Sequence, residues 1–276
     1  MTPDFSPPEY YLGCPSPIPQ GDVGSMTLTH FSLFSGIGGL DLAAEWAGFE
    51  TVGQVEYANY PFRVLRRRFG RVPRWRDVRD VTGEAIIERC GVPTVISGGF
   101  PCQPHSLTGK RLASRDERDL WGELARIVRE VRPRWFVGEN VAGLRSSESG
   151  RFFGRVLRDL AEMGYTVGWG SWEAADAGAP HHRERVFIIA HNGGKRVSRV
   201  IPSEIPRVEG FSWCEDGGGI ETLRGRSDIP EPLFWGSRDG VPHWVDRLRA
   251  LGNAVVPQQA FPIFQAIAAI EMGAIV

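Results

Sequence analysis

Cysteine is scarce in this sequence of 276 residues: Cys14, Cys90, Cys102 and Cys214 stand far apart and form no C-x-x-C pair. That spacing suggests neither a disulfide framework nor a zinc site, and it fits a reduced intracellular compartment. Long apolar runs are also missing, none approaching the roughly 20 residues that span a bilayer. The N-terminus lacks the basic-then-apolar order of a secretion signal, so the expectation is a cytoplasmic protein without membrane association. Nor is one sign of charge in excess, because 32 Lys and Arg face 33 Asp and Glu for a net charge of -1. Net charge therefore argues neither for nor against a nucleic-acid partner, which would need its basic residues clustered on one face.

Residues 1–25 carry Pro3, Pro7, Pro8, Pro15, Pro17 and Pro19 and read as a flexible lead-in outside the fold. From residue 26 the pattern changes. Thr29 to Phe34 is short, apolar and β-prone, breaks at Ser35-Gly36-Ile37-Gly38-Gly39, and continues into the helix-like stretch 40–48. The alternation repeats with strands at 51–56, 94–97, 135–138 and 185–190 and helices at 61–69, 121–131 and 152–163. Strands alternating with helices indicate βαβ units on a parallel sheet, hence an α/β doubly wound, Rossmann-like fold. Regularity stops after Ala190, where Asn192-Gly193-Gly194, the run 217–219 and many prolines intervene until about His243. The expected organisation is a catalytic, cofactor-binding domain over 26–190, a small lobe over 191–242, and a segment 243–276 returning to the first domain. Helical spacing over 257–270 puts Phe261, Phe264, Ile267 and Ala268 on one side.

A glycine turn after the first strand lets a ligand approach the backbone, and an acid about 20 positions later can bind ribose hydroxyls. Gly36, Gly38 and Gly39 supply the turn and Glu56 the acid. Glycine turns open many α/β domains, so taken alone this is equally a purely structural turn. The missing third glycine of G-x-G-x-x-G tilts the reading from a dinucleotide toward S-adenosylmethionine. Asp77 sits where a third βα loop could accept a hydrogen bond from an adenine amino group; a solvated helix cap is its alternative.

The strand at 94–97 runs into Gly98-Gly99-Phe100-Pro101-Cys102-Gln103-Pro104. A lone cysteine is most often a small buried hydrophobe. Here two glycines and two prolines fix the backbone and project the sulfur from the carboxyl end of a strand, where α/β sheets place their chemistry. Glu139-Asn140-Val141 offers an acid from the next strand end, and Arg183-Glu184-Arg185 offers a guanidinium. A thiolate, an acid and a cation converging on one pocket suit addition to a polarised, electron-poor ring.

Seven elements in order resemble the cytosine-C5 DNA methyltransferase family over 29–191 and 243–270. They are Phe34-Ser35-Gly36-Ile37-Gly38-Gly39-Leu40, Glu56-Tyr57, Asp77-Val78, Phe100-Pro101-Cys102-Gln103, Glu139-Asn140-Val141, Arg183-Glu184-Arg185 and Gly252-Asn253-Ala254-Val255. The resemblance implies S-adenosyl-L-methionine as cofactor, double-stranded DNA as partner, a monomer and no metal. It implies that Phe34 and Tyr57 contact the adenosyl group, Glu56 the ribose and Asp77, with Val78 beside it, the adenine. Ser35, Leu40, Pro101, Asn253 and Ala254 would complete that site. Cys102 would add to C6 of a flipped-out cytosine, Glu139 would bond its N3 edge, Arg185 its O2, and Arg183 would support the loop.

The segment 105–118 reads as a loop that folds over Cys102, with Gln103, Ser106, Lys110, Arg111 and Arg115 available to DNA. The chain departs from the family at His181, where Gln is common, with His182 beside it; no carboxylate or cysteine spacing completes a metal site there. The lobe after Ala190 is compact and lacks an evident Arg/Leu/Glu-bearing helix, leaving Arg247-Leu248-Arg249 before the last element. Lys195, Arg196, Arg199, Arg207, Arg224 and Arg226 interleave with Phe211 and Trp213, suited to phosphates and bases. So small a reader implies a site of about two to four base pairs. Rival readings are a tRNA cytosine methyltransferase, a non-catalytic DNA-binding relative and a nicotinamide-dependent oxidoreductase. The Cys-Phe-Thr tripeptide of the first is absent, the residues the second would lose are present, and the glycine pattern disfavours the third.

Overall fold

The structure is a computed structural model and describes residues 27–101, 120–179, 181–193, 197, 200–202, 250 and 252–274. In chain order its elements are β1 (Thr29–Leu33), α1 (Gly39–Trp46), β2 (Glu50–Val55), α2 (Asn59–Arg68), β3 (Arg74–Trp75), α3 (Gly83–Cys90) and β4 (Val95–Gly98). There follow α4 (Trp121–Val131), β5 (Trp135–Val141), α5 (Arg151–Glu162), β6 (Thr166–Glu173), β7 (Glu184–His191) and α6 (Pro257–Glu271). One seven-stranded sheet has the order β3-β2-β1-β4-β5-β7-β6.

Side chains alternate across a strand, and here both faces are apolar. Trp135, Val137, Phe187 and Ile189 bury against α1 and α6, whereas Phe136, Val186, Ile188 and Ala190 bury against α3, α4 and α5. Helices thus cover both faces, as in a doubly wound sheet. The amphipathic α4 turns Trp121, Leu124, Ile127, Val128 and Val131 inward. Phe261, Phe264, Ile267 and Ala268 of α6 are all buried beside Ala43, Ala44 and Ala47 of the α1 region.

The sheet departs from all-parallel pairing. Strands β1 to β5 pair in parallel, while β7 runs antiparallel to both β5 and β6. Only residues 174–183 join β6 to β7, too short for the helical crossover that parallel neighbours need. Strand β6 was hidden in the sequence by Gly168 and Gly170, which interrupt its apolar pattern. Packing requires both: a Cβ at Gly168 would lie 2.5 Å from Ile201 Cδ1, and one at Gly170 2.5 Å from Trp172 Cη2. Helix α3 also had no strong periodic signal; the Thr82 side chain caps it by accepting from the Ala85 amide at 3.2 Å.

Candidate active site

The glycine turn leaves β1 at its carboxyl end. Phe34 (φ +54°), Gly36 (φ +57°) and Gly38 (φ +90°) take left-handed conformations there, which Gly adopts without strain and Phe does not. A Cβ on Gly36 would meet open space, so its backbone is accessible to a ligand. A Cβ on Gly39 would lie 2.5 Å from the Val255 carbonyl oxygen, so this glycine is needed where the C-terminal segment crosses the turn. Leu40 is buried as the first apolar anchor of α1, and Ser35 is buried under the turn.

Glu56, just past β2, accepts the Gly36 amide at 2.8 Å through Oε2 and the Ala58 amide at 2.6 Å through Oε1. Burial raises its pKa, and these amides and Arg76 oppose the shift. Next to it Tyr57 is 71% exposed, a bare ring at the rim. Asp77 caps a short 3₁₀ turn over 78–80, accepting the Arg79 amide at 3.0 Å. The Arg79 guanidinium donates to both its oxygens at 3.0 and 2.6 Å and holds its carboxyl below the usual range. Val78 is buried beneath. An accessible backbone turn, an acid joined to it and an exposed aromatic suit a nucleoside with hydroxyls and a flat base. These residues therefore fit S-adenosylmethionine.

On the catalytic side, β5 runs three residues beyond the expected strand, so Glu139, Asn140 and Val141 are strand residues themselves. Opposite lies β7, with Val141 in register with Arg185. Arg185 Nε is 2.8 Å from Glu139 Oε1, both side chains nearly buried. Burial pushes the Glu139 carboxyl up to about 7, against the opposing pull of Arg185 and Arg183. Gly99, next to β4, explains how the carboxylate fits: a Cβ there would stand 2.9 Å from Glu139 Oε2. Asn140 donates through Nδ2 to the Phe100 carbonyl at 2.9 Å. Phe100 is buried against Trp121 and Phe152, with centroids 5.0 and 6.5 Å away, while Pro101 is exposed. A buried aromatic and a side-chain amide thus fix the backbone that leads into Cys102. Cys102 itself lies outside the described residues, as do Gln103, Ser106, Lys110, Arg111, Lys195 and Arg196.

Arg183 binds elsewhere than Arg185. Its guanidinium donates to the carbonyls of Gly252 at 2.6 Å and Ala254 at 2.7 Å. Gln259, fully buried in α6, donates to the Trp172 and Arg183 carbonyls at 2.9 and 3.0 Å. The C-terminal segment is thereby tied between the cofactor turn and β7, with Asn253 exposed and Ala254 half-buried at the rim. His182 pairs through Nδ1 with Glu173 at 2.5 Å. Among the described residues no group of three His, Cys, Asp or Glu is placed to hold a metal ion, and no helix is long and apolar enough to cross a membrane. Asn140 and Gly99 were read only as parts of their motifs and Gln259 carried no signal in the sequence, because each acts through a partner distant along the chain.

A doubly wound sheet with a glycine turn, an acid bonded to that turn and a buried acid–guanidinium pair at adjoining strand ends is an arrangement that an α/β methyltransferase can use. The chain belongs to the C-5 cytosine-specific DNA methylase family, whose profile matches residues 28–216. It is 38% identical over 160 residues to type II methyltransferase M.NgoBI of Neisseria gonorrhoeae, covering 57% of this chain and 48% of that protein. To type II methyltransferase M.AquIA of Picosynechococcus sp. it is 34% identical over 189 residues, 63% of this chain and 76% of the relative. The crystal structure of an E. coli prophage-encoded DNA modification methyltransferase superposes with TM-score 0.56 and 28% identity, over 66% of this chain and 52% of that one. The match to M.NgoBI, like that to the prophage protein, spans about half of the relative's length.

Proposed function

We propose that this protein methylates C5 of cytosine in double-stranded DNA, with S-adenosylmethionine as donor. The observation that carries the proposal is the ion pair of Glu139 and Arg185, 2.8 Å apart on adjoining strands beside the turn that leads into Cys102. C5 of cytosine becomes nucleophilic only once something adds at C6, and a thiolate both adds and leaves readily near neutral pH. Cys102 forms the sulfur–carbon bond at C6 as electron density moves into the ring. Glu139, raised to about 7, is ionised against Arg185 in part and protonated in part near neutrality; its protonated form bonds N3 while Arg185 donates to O2, so the enamine form is stabilised. S-adenosylmethionine, when bound, supplies a methyl group as an electrophile for C5. A base, bound water or a side chain, then takes the C5 proton, and the freed electron pair re-forms the C5–C6 double bond as the sulfur–carbon bond breaks and the thiolate is restored.

Phe34 and Tyr57 would flank the adenosyl group, Glu56 would hold the ribose and Asp77 with Val78 the adenine edge. Ser35, Gly36, Gly38, Gly39, Leu40, Pro101, Asn253 and Ala254 would shape the remaining walls. The target base is stacked inside a duplex, so it must swing out at a cost of roughly a few kcal/mol. Gln103, Ser106, Lys110 and Arg111 are assigned to closing over it, and Lys195 and Arg196 to the recognition lobe over 191–242. The enzyme would act as a monomer, without metal, on a short site.

A duplex carrying C5-fluorinated cytosine tests this reading, since fluorine is not lost as a proton and the covalent adduct persists. With the methyl donor present, wild type forms the adduct and Cys102→Ser does not. Sequencing of methylated duplex should return a site of about two to four base pairs, and tRNA should yield no product. An adduct that survives loss of Cys102, or none in wild type, overturns the mechanism.

A further inference from the structure

Asp41 is completely buried and has no part in the chemistry above. It lies in the first turn of α1, two residues past Gly39. Its Oδ2 accepts the Ser32 hydroxyl at 3.1 Å and its Oδ1 accepts Gln54 Nε2 at 2.9 Å. The Ser32 hydroxyl is also 2.9 Å from the Ser35 hydroxyl, which in turn reaches the Ser32 and Val55 carbonyls at 3.1 and 3.3 Å. On the other side Gln54 Oε1 accepts Arg74 Nε at 2.8 Å, and the terminal nitrogens of Arg74 donate to the carbonyls of Gly70 and Leu65. One polar chain therefore runs from Arg74 on β3, through Gln54 on β2 and Asp41, to Ser32 and Ser35.

A buried carboxylate is expensive, and an apolar residue of similar size often packs as well or better. Its position indicates what the polar chain accomplishes. Ser32 and Gln54 lie on adjoining strands, β1 and β2, which run on to Ser35 and Glu56 respectively. Those two residues bracket Gly36: the Ser35 amide donates to the Val55 carbonyl at 3.0 Å, and Glu56 holds the Gly36 amide. Asp41 thus clamps the two strands directly beneath the turn, from the helix that the turn begins. Its polarity is fixed from outside, because Arg74 commits Gln54 Oε1 as acceptor and leaves only Nε2 to face Asp41.

We propose that Asp41 is a positioning residue for the methyl donor: by clamping β1 to β2 it sets the separation of the Ser35–Gly36 backbone from Glu56, without touching the donor. This rests on the functional reading above. Asparagine can keep the clamp, accepting from Gln54 through Oδ1 and donating its amide to Ser32, whose hydrogen then turns to Ser35. Leucine cannot.

Titration calorimetry with S-adenosylmethionine and with its demethylated product tests the proposal on wild type, Asp41→Asn, Asp41→Leu, Ser32→Ala and Val156→Ala. The last is a packing control in α5, on the far face of the sheet. Asp41→Leu and Ser32→Ala should weaken binding by about tenfold or more, with the kinetic loss in KM for the donor rather than in kcat. Asp41→Asn should stay within about threefold of wild type. Val156→Ala should lower the thermal midpoint and leave the Kd unchanged. Unchanged Kd in Ser32→Ala and Asp41→Leu, or equal weakening in Val156→Ala, overturns the clamp. If Asp41→Leu fails to fold, Ser32→Ala and Asp41→Asn decide by the same criteria. Failure of wild type to bind the donor overturns the functional reading and this inference together.

Discussion

A thiol nucleophile gains from rising pH, whereas an acid that must donate a proton is lost by it. Glu139 sits on the second side of that opposition. Its pKa of about 7 lies above the value near 4.3 of an unfolded chain, so the proton is held through the acid range and released as pH rises through about 7. The single-turnover rate on duplex DNA is therefore expected to fall above about pH 7 wherever Glu139 donation limits the reaction, and this descending limb should vanish in Glu139→Gln. That variant should also lose on the order of 10²–10⁴-fold in rate. A descending limb that persists in Glu139→Gln would assign it to another group. The acid was legible in the sequence because an apolar strand precedes it. Its protonation state was not, because burial comes from β7 and from the bare Cα of Gly99, set by register rather than local order. Asp41 was less legible still: an acid in a helix's first turn ordinarily serves the helix dipole, and only tertiary packing turns it inward.

At the scale of elements, the C-terminal segment is held by one side chain from elsewhere in the chain, Arg183, and by its own Gln259. The Arg183 guanidinium reaches across 69 and 71 residues of sequence to the Gly252 and Ala254 carbonyls. Arg183→Ala should free those carbonyls and loosen the segment that covers Gly39. The expected outcome is a lower thermal midpoint and a donor Kd raised by about tenfold, since hydrogen bonds to charged groups contribute about 1.5–3 kcal/mol. Arg183→Ala with wild-type donor affinity would show that the segment is held without it. Strands β1, β2, β4, β5 and β7 were legible, being short, apolar and β-branched between turn residues. Strand β6 was not, since the glycines its packing demands are the residues that mark a loop in a sequence. The antiparallel entry of β7 was likewise unread: strand direction follows from the short 174–183 link, whose meaning depends on first seeing β6.

Among the described residues, one sheet lies between two apolar layers of different origin. The layer on α3, α4 and α5 is built from consecutive sequence, whereas the other needs α6 from the end of the chain to cover α1. Phe264 stands at the centre of that second layer, fully buried, with its ring 5.4 Å from His30 and 5.8 Å from Phe49. Phe264→Ala should cost about 3–5 kcal/mol in denaturant unfolding, as for other buried aromatics cut to alanine. A loss below about 1 kcal/mol would mean that α6 contributes little to the core. Helical spacing over 257–270 foretold the burial of Phe261, Phe264, Ile267 and Ala268 but not that the helix is buried all round from Gln258 to Phe264, and no local pattern shows that its partner is α1, more than two hundred residues earlier.

The tie between Arg183 and the 252–254 backbone also orders events in time. Ribosomes deliver a chain from its N-terminus, so the strands bearing Glu139 and Arg185 emerge well before the carbonyls that Arg183 grips. A nascent chain that has reached β7 holds the acid and both arginines, yet the Val255 carbonyl that crosses Gly39 has still to be made.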